Sequence, residues 1–246
     1  MNSLFNFQPL EQFEIVFLGN FAGIPINNSL IYLIIVYLVI RFLFGLVFVN
    51  MRLIPYNLQT FVEQIYNFVF GLVKQQINVS GFAYFPVIFT LFLFILIANL
   101  VGMSLYSFTL TSHVTVAFTL SFSFFISIVL VGSLIQKASF VNTFIPSGAP
   151  KILKPFLIGI EVISYFSRPF SLGIRLFANL MAGHTLLAIL ANFTFVISKK
   201  NVLVTILPFV LIVVIVGLEA MIAVLQAYVF TVLVCIYLND SIHGSH

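Results

Sequence analysis

The chain has 246 residues, of which 62% are hydrophobic and only 7% are charged, and its mean hydropathy is +1.21. Soluble globular domains carry roughly 25% charged residues, so this chain cannot cover a water-facing surface and is expected to be an integral membrane protein. Its basic pI rests on few charges and implies no nucleic-acid-binding role. Cys235 stands alone in an apolar run, which predicts neither a disulfide framework nor a redox site.

The first 80 residues predict a tail, a span and an amphipathic helix. Residues 1–28 are polar enough for a tail or surface segment, and residues 29–50 supply the roughly 20 apolar residues that one span needs. Arg41 lies near the end of this span, so we expect its side chain to snorkel to the nearer interface. In residues 55–78, apolar side chains recur at three- and four-residue steps among polar ones, which predicts a helix lying in the interface.

Residues 82–135 hold two more apolar spans joined by a short polar link, and they predict an antiparallel hairpin. Asn99 and His113 lie near its turn, where each is expected to form hydrogen bonds rather than to bind a ligand. A basic loop rich in proline and glycine follows at 136–154.

Two very long apolar stretches then fill residues 155–240, before a short tail at 241–246. Helices of this length extend about 60–65 Å, whereas the hydrocarbon core is about 30 Å thick. They must either break or lie steeply inclined, and we expect a steep, bent hairpin. The candidate break points are Pro169, Gly173, Gly183, Pro208 and Gly217.

The predicted fold is therefore an all-α integral membrane protein. It has five membrane-embedded helices and one interfacial amphipathic helix, and its last two helices form a long, steeply inclined hairpin. Lysine and arginine in loops favour the inner side of a membrane, and five such residues against two place the N-terminus outside and the C-terminus inside. They are Arg52, Lys74, Lys137, Lys151 and Lys154 on the inner side, and Lys199 and Lys200 on the outer side.

Polar side chains interrupt the final hairpin at matching depths. If two antiparallel helices turn near residue 201, three polar pairs lie equally far from the turn. Ionisable groups inside a membrane mark ion and proton paths by default, so these layers are the candidate functional site. From the inner to the outer surface, the expected pairs are Glu161 with Asp240, Arg175 with Gln226, and His184 with Glu219.

The helix faces are less uniform than the depths. Glu161, Arg168 and Arg175 are seven residues apart and share one face. His184 comes nine residues after Arg175, which puts it roughly opposite on an ideal helix. We therefore expect Arg175 to face one partner and His184 a separate aqueous cleft, unless Gly183 or a bulge rotates the register.

The chemistry of these side chains suggests proton transfer, with structural alternatives. Imidazole titrates near neutral pH, so His184 with Glu219 is either a proton relay or a static buried pair. Arg175 stays charged at any relevant pH, so its useful role is a fixed positive charge that makes a passing carboxylate release its proton. The alternative for Arg175 is a structural side chain satisfied by Asn179 and Gln226.

The remaining charges allow two interpretations each. Glu161 is either an interfacial anchor or a proton-release group, and Arg168 is expected to pair with Glu161 or with lipid headgroups. The sequence has no glycine-rich phosphate loop, no metal-ligand spacing and no nucleophile triad. We therefore expect no conventional active site, no metal and no cofactor.

Four stretches of the chain resemble subunit a of F-type ATP synthases, the subunit 6 type of mitochondria. The likeness covers residues 55–240 and is most specific in the last two helices. The stretches are SLGIRLFANLMAGH at 171–184, LEAMIAVLQAYVFTVLVCIYLND at 218–240, NLVGMSLYSFTLTSH at 99–113 and PFLIGIEVISYFSRPFSLG at 155–173.

The resemblance implies a non-catalytic, proton-conducting stator subunit of the Fo sector in the mitochondrial inner membrane. It would form two half-channels against the c-ring and contact the peripheral stalk, other Fo subunits and lipids in a dimeric complex. Its N-terminus would face the intermembrane space and its C-terminus the matrix. The resemblance implies the following roles: proton uptake by His184 and Glu219, separation of the half-channels by Arg175 with Asn179 and Gln226 beside it, and proton exit past Glu161.

Three other classes of protein fit the sequence less well. A self-contained carrier would need an alternating-access repeat, which the sequence does not show. A subunit of a proton-pumping redox complex would copurify with quinone or haem proteins. A purely structural scaffold would not place so many charges inside its spans.

Overall fold

The structure is a computed structural model that describes residues 13–21, 24–49, 52, 54–103, 109–137, 154–199 and 202–243. Six α-helices account for most of these residues, and five helices are long and apolar enough to cross a membrane. The elements in chain order are β1 (Phe17–Phe21), β2 (Ile24–Asn27), α1 (Asn28–Val49), α2 (Asn57–Ile77), α3 (Phe85–Gly102), α4 (Val114–Gln136), α5 (Lys154–Ser198) and α6 (Val202–His243).

The helical membrane fold is confirmed, and the helix bounds lie close to the predicted ones. Two features differ. The predicted N-terminal tail contains an antiparallel hairpin of β1 and β2, and α6 continues to His243, so the predicted tail at 241–246 begins too early. Most of the predicted loop at 136–154 lies outside the described residues.

The two final helices are continuous. Helix α5 has 45 residues with Pro169 inside it, and α6 has 42 residues with Pro208 inside it. The alternative in which these helices break at prolines or glycines is therefore excluded. At 1.5 Å per residue each helix is more than 60 Å long, about twice the thickness of a hydrocarbon core of about 30 Å. Steep inclination is the remaining way to keep both apolar helices in a bilayer.

Helix α2 has the predicted amphipathic character. Val69, Val73 and Ile77 lie on one face and are fully buried in the main core, whereas Glu63 and Lys74 on the other faces are exposed. The buried face packs against α3 and α6. This contact anchors the interfacial helix to the membrane-spanning bundle.

The main core surrounds the C-terminal half of α6. Phe230, Val234, Cys235 and Leu238 are buried there among side chains of α3 and α4. The N-terminal half of α6 is different, because most of its large apolar side chains between residues 204 and 225 are exposed. Helix α6 is thus fixed at one end and presents an apolar surface at the other, with α5 alongside it.

Candidate functional site

A buried leucine stripe on α5 organises the site. Leu172, Leu176 and Leu180 recur at four-residue steps and are almost fully buried. At 100° per residue, Arg175 lies along one edge of this stripe and His184 along the other. Helix α5 is α-helical throughout, so no bulge rotates one side chain toward the other. The predicted opposition of Arg175 and His184 is therefore confirmed.

His184 contacts Glu219 along the edge of the stripe opposite Arg175. His184 Nε2 lies 3.3 Å from Glu219 Oε1, which confirms that these two residues are apposed. The Glu219 side chain is only 3% exposed, and neither of its oxygens accepts a hydrogen bond of good geometry from a described residue. A buried carboxylate without such donors is energetically costly.

Gly183 makes room for this carboxylate. A Cβ atom at residue 183 would lie 2.8 Å from Glu219 Oε1 and 3.1 Å from its Cδ. Real Cβ atoms do not approach neighbours this closely, so any larger residue would displace the Glu219 carboxylate. The sequence indicates Gly183 as a candidate helix break or a point of register rotation, whereas in the structure it leaves space for a side chain of α6.

Phe13 covers the imidazole of His184. The two rings meet edge to face, with centroids 6.4 Å apart and planes inclined by 72°. The segment that carries Phe13 is tied to the start of α1, because Asn28 Nδ2 donates to the Glu14 carbonyl oxygen at 3.0 Å. The sequence gives no signal for this contact, since the two residues lie 171 positions apart in the chain.

Phe13→Ala should expose the imidazole. We expect diethyl pyrocarbonate to modify His184 several-fold faster in this variant, with the modified residue identified by mass spectrometry of the assembled complex. Phe17→Ala is the matched control, because Phe17 is already 57% exposed on the same segment. An unchanged rate at His184 in Phe13→Ala would show that Phe13 does not shield the ring.

Arg175 has no counterion within the described part of the chain. Its side chain is half-buried and forms no ion pair or hydrogen bond with a described residue, although its charge acts on the nearby phenol of Tyr237. Gln226, its predicted partner, instead accepts a hydrogen bond from Asn179 Nδ2 at 3.1 Å. The side-chain oxygen of Gln226 is therefore taken by Asn179, and Arg175 keeps a charge that no described residue compensates.

The inner pair also differs from the prediction. Arg168, and not Glu161, meets Asp240, with Nη1 and Oδ2 3.4 Å apart. The guanidinium lies over the rings of Tyr165 and Tyr237 at 5.2 and 4.8 Å. Asp240 and Arg168 pair with each other, so the predicted pairings of each with Glu161 are wrong. Glu161 is half-buried and forms no ion pair with a described residue.

The direction of helical side chains explains these shifts. Side chains tilt toward the N-terminus of their own helix, so those of α5 and α6 point in opposite directions along an antiparallel pair. The contacting residue on α5 must then lie fewer residues from the turn than its partner on α6, whereas the sequence-based pairing placed the two at equal distances. The shift is smallest for His184 and largest for Arg168, whose side chain is the longest of the three.

Asn99 holds α6 beside the site. Its Nδ2 donates to the Ala223 carbonyl oxygen at 3.2 Å, and its Oδ1 accepts from Thr111 Oγ1 at 3.0 Å. Both side chains are buried, and Ala223 lies one turn after Glu219. The prediction that Asn99 forms hydrogen bonds is confirmed, and its contact fixes the height of α6 next to Glu219.

Comparison with known proteins identifies the family that carries this arrangement. The sequence profile described as "ATP synthase A chain" matches residues 29–239. The chain is 48% identical over 246 residues to "ATP synthase subunit a" of Acanthamoeba castellanii, covering 98% of this chain and 99% of that protein. It is 44% identical over 246 residues to "ATP synthase subunit a" of Marchantia polymorpha, covering 96% and 98%.

The chain belongs to the ATP synthase A chain family. Members of this family are non-catalytic, proton-translocating subunits of the Fo sector. The five apolar helices fit a multi-pass protein of the mitochondrial inner membrane.

Proposed function

We propose that this chain forms two offset aqueous half-channels against a c-ring and couples proton flow to ring rotation. Protons from the outer side pass His184 and Glu219 and protonate a carboxylate of the ring. After the ring turns, they leave past Glu161 toward the inner side. The observation that carries this proposal is the separation on α5, where the His184–Glu219 pair and the uncompensated Arg175 occupy opposite edges of one buried stripe.

Arg175 supplies the step that gives the path its direction. A deprotonated ring carboxylate that comes opposite the guanidinium gains a counterion, so the ring site releases its proton there. Arginine keeps its own proton at any relevant pH and therefore passes none across. Gln226 supports this step, since its buried Nε2 has no hydrogen-bond acceptor among the described residues and remains a donor beside the arginine.

On the inner side, proton release is assigned to the carboxylate that has no ion-pair partner among the described residues. Asp240 is paired with Arg168, and the two tyrosine rings hold that guanidinium in place. Glu161 shares the helix face of Arg168 and Arg175 but has no counterion among the described residues. Glu161 is therefore the acid best able to accept a proton on its way out.

The remaining parts of the proposal concern assembly. The partners are the c-ring, the peripheral stalk, other Fo subunits and lipids, within a dimeric complex. Five spans with the charge bias of the loops put the N-terminus in the intermembrane space and the C-terminus in the matrix. The amphipathic α2 then lies on the matrix side, where it reaches the peripheral stalk.

Glu219→Gln tests the uptake step, because it keeps the shape of the side chain and removes its titratable proton. We expect proton-driven ATP synthesis in membrane vesicles to fall by about a hundredfold, the lower range for loss of a positioned acid or base. Proton leak should stay unchanged, since Arg175 still separates the half-channels. Both quantities can be followed with a pH-sensitive dye and an ATP assay.

Glu63→Gln is the matched control, because Glu63 is an exposed glutamate of α2 that lies away from the pair. We expect normal synthesis in this variant. If Glu219→Gln also synthesises ATP at the normal rate, the His184–Glu219 contact is a static pair and the proton takes another route.

A further inference from the structure

Arg41 is an exposed cation on the free side of α1. Helix α1 packs on the rest of the chain through Val36, which is 1% exposed, and through residues on the same face. Arg41 comes five residues after Val36, which at 100° per residue turns it toward the opposite side of the helix. It forms no ion pair, hydrogen bond or cation–π contact with a described residue.

The depth of Arg41 makes simple snorkelling a poor explanation. It lies eight residues before Val49, the last residue of α1, or about 12 Å along the helix axis. Helical side chains tilt toward the N-terminus, so the side chain is directed to the middle of the span and away from the nearer end. An unpaired arginine near the centre of a membrane helix is energetically costly.

A notch lies beside this charge. Gly45 is one turn after Arg41, and a Cβ atom there would meet nothing within 4 Å. With Leu38, Phe42 and Val49 along its rim, the notch has a volume of about 420 Å³. Small residues at helix surfaces let another helix approach closely in a membrane, so the notch has the shape of a site for one large side chain of a neighbouring helix.

We propose that the Arg41–Gly45 face of α1 binds a transmembrane helix of another subunit of the complex, which places an aspartate or glutamate at the depth of Arg41. The guanidinium matches a carboxylate in two parallel hydrogen bonds, and an apolar side chain of the same helix fills the notch at Gly45. Lipid phosphate has the same charge but lies at headgroup depth, so a carboxylate fits Arg41 better. The proposal uses membership of the Fo sector and is independent of the half-channels.

Photocrosslinking in native membranes separates the two sources of negative charge. A benzophenone side chain in place of Phe42 should crosslink to one transmembrane polypeptide, at a peptide that contains an acidic residue within its span. The same probe in place of Leu33, which is exposed on another flank of α1, should give mainly lipid adducts. Lipid adducts alone from position 42 would overturn the proposal.

Charge substitution tests the ion pair itself. In Arg41→Leu, the crosslinked polypeptide should dissociate from the detergent-purified complex about tenfold faster or more, as expected for loss of one partner of a buried pair, whereas Arg41→Lys should retain it. Arg52→Leu is the charge-matched control outside the span, and it should retain the polypeptide. Equal retention in Arg41→Leu would also overturn the proposal. Should that variant fail to accumulate, Arg41→Glu combined with an arginine at the partner's acidic position must restore assembly.

Discussion

Arg175→Ala should abolish proton-driven ATP synthesis while the complex still assembles. The arginine has no ion-pair partner in the described part of the chain, so its removal leaves no acidic side chain of that part without a counterion. A ring carboxylate at about 4 Å would lose an interaction of about 4 kcal/mol at the effective dielectric near a protein surface. The ring site would then keep its proton as it passes, and synthesis should fall by about a thousandfold.

Subunit composition and proton leak distinguish this result from simple misfolding. We expect the Arg175→Ala complex to purify with its normal set of subunits and to show a raised proton leak, because nothing charged then separates the half-channels. Arg52→Ala is the control for loss of a positive charge outside the spans. Normal synthesis in assembled Arg175→Ala would refute the role proposed for this residue.

The hairpin and its outermost pair are predictable from the sequence for a simple reason. The apolar stretches fix two long helices, and the polar turn between them fixes the point from which depth is counted. His184 and Glu219 lie close to that turn, where small errors in counting have not accumulated. Their contact at 3.3 Å is therefore the pairing that is predicted correctly by counting residues from the turn.

Pairing residues at equal distances from the turn fails for the other two layers. It treats each side chain as lying at the depth of its own Cα atom, whereas long side chains on antiparallel helices reach in opposite directions. Arg168 therefore pairs with Asp240, although by residue count from the turn Glu161 lies closer than Arg168 to the depth of Asp240. Asn179 Nδ2 likewise donates to the side-chain oxygen of Gln226, the group that was predicted to lie beside Arg175.

Contacts between distant parts of the chain were not predictable at all. Phe13 contacts His184 from the segment before the β1–β2 hairpin, which is hydrogen-bonded to the start of α1. Neither strand has a strong alternating pattern, and a single aromatic residue in a polar segment carries no signal of its partner. The space at Gly183 is also not predictable from the sequence, because a glycine can occur within a helix for several structural reasons.

Gly183→Ala should separate His184 from Glu219, the two residues proposed to take up the proton. The new Cβ would lie 2.8 Å from Glu219 Oε1, and the carboxylate, as the end of a flexible side chain, would swing away from His184. Assembly should be preserved, since alanine also favours the helix over glycine by about 0.5–1 kcal/mol. Displacement of a reacting group by about 1 Å can cost a hundredfold in rate, so we expect a comparable loss of ATP synthesis.

Gly217→Ala supplies the matched control, because it makes the same substitution two residues before Glu219 at a site where a Cβ meets nothing within 4 Å. Both variants gain the same helix preference, so the difference between them isolates the contact with the carboxylate. We expect normal ATP synthesis in Gly217→Ala and a large loss in Gly183→Ala. Equal rates in the two variants would mean that proton uptake does not depend on the closeness of Glu219 to His184. The passage of protons would then have to be assigned to water alone on this side of the membrane.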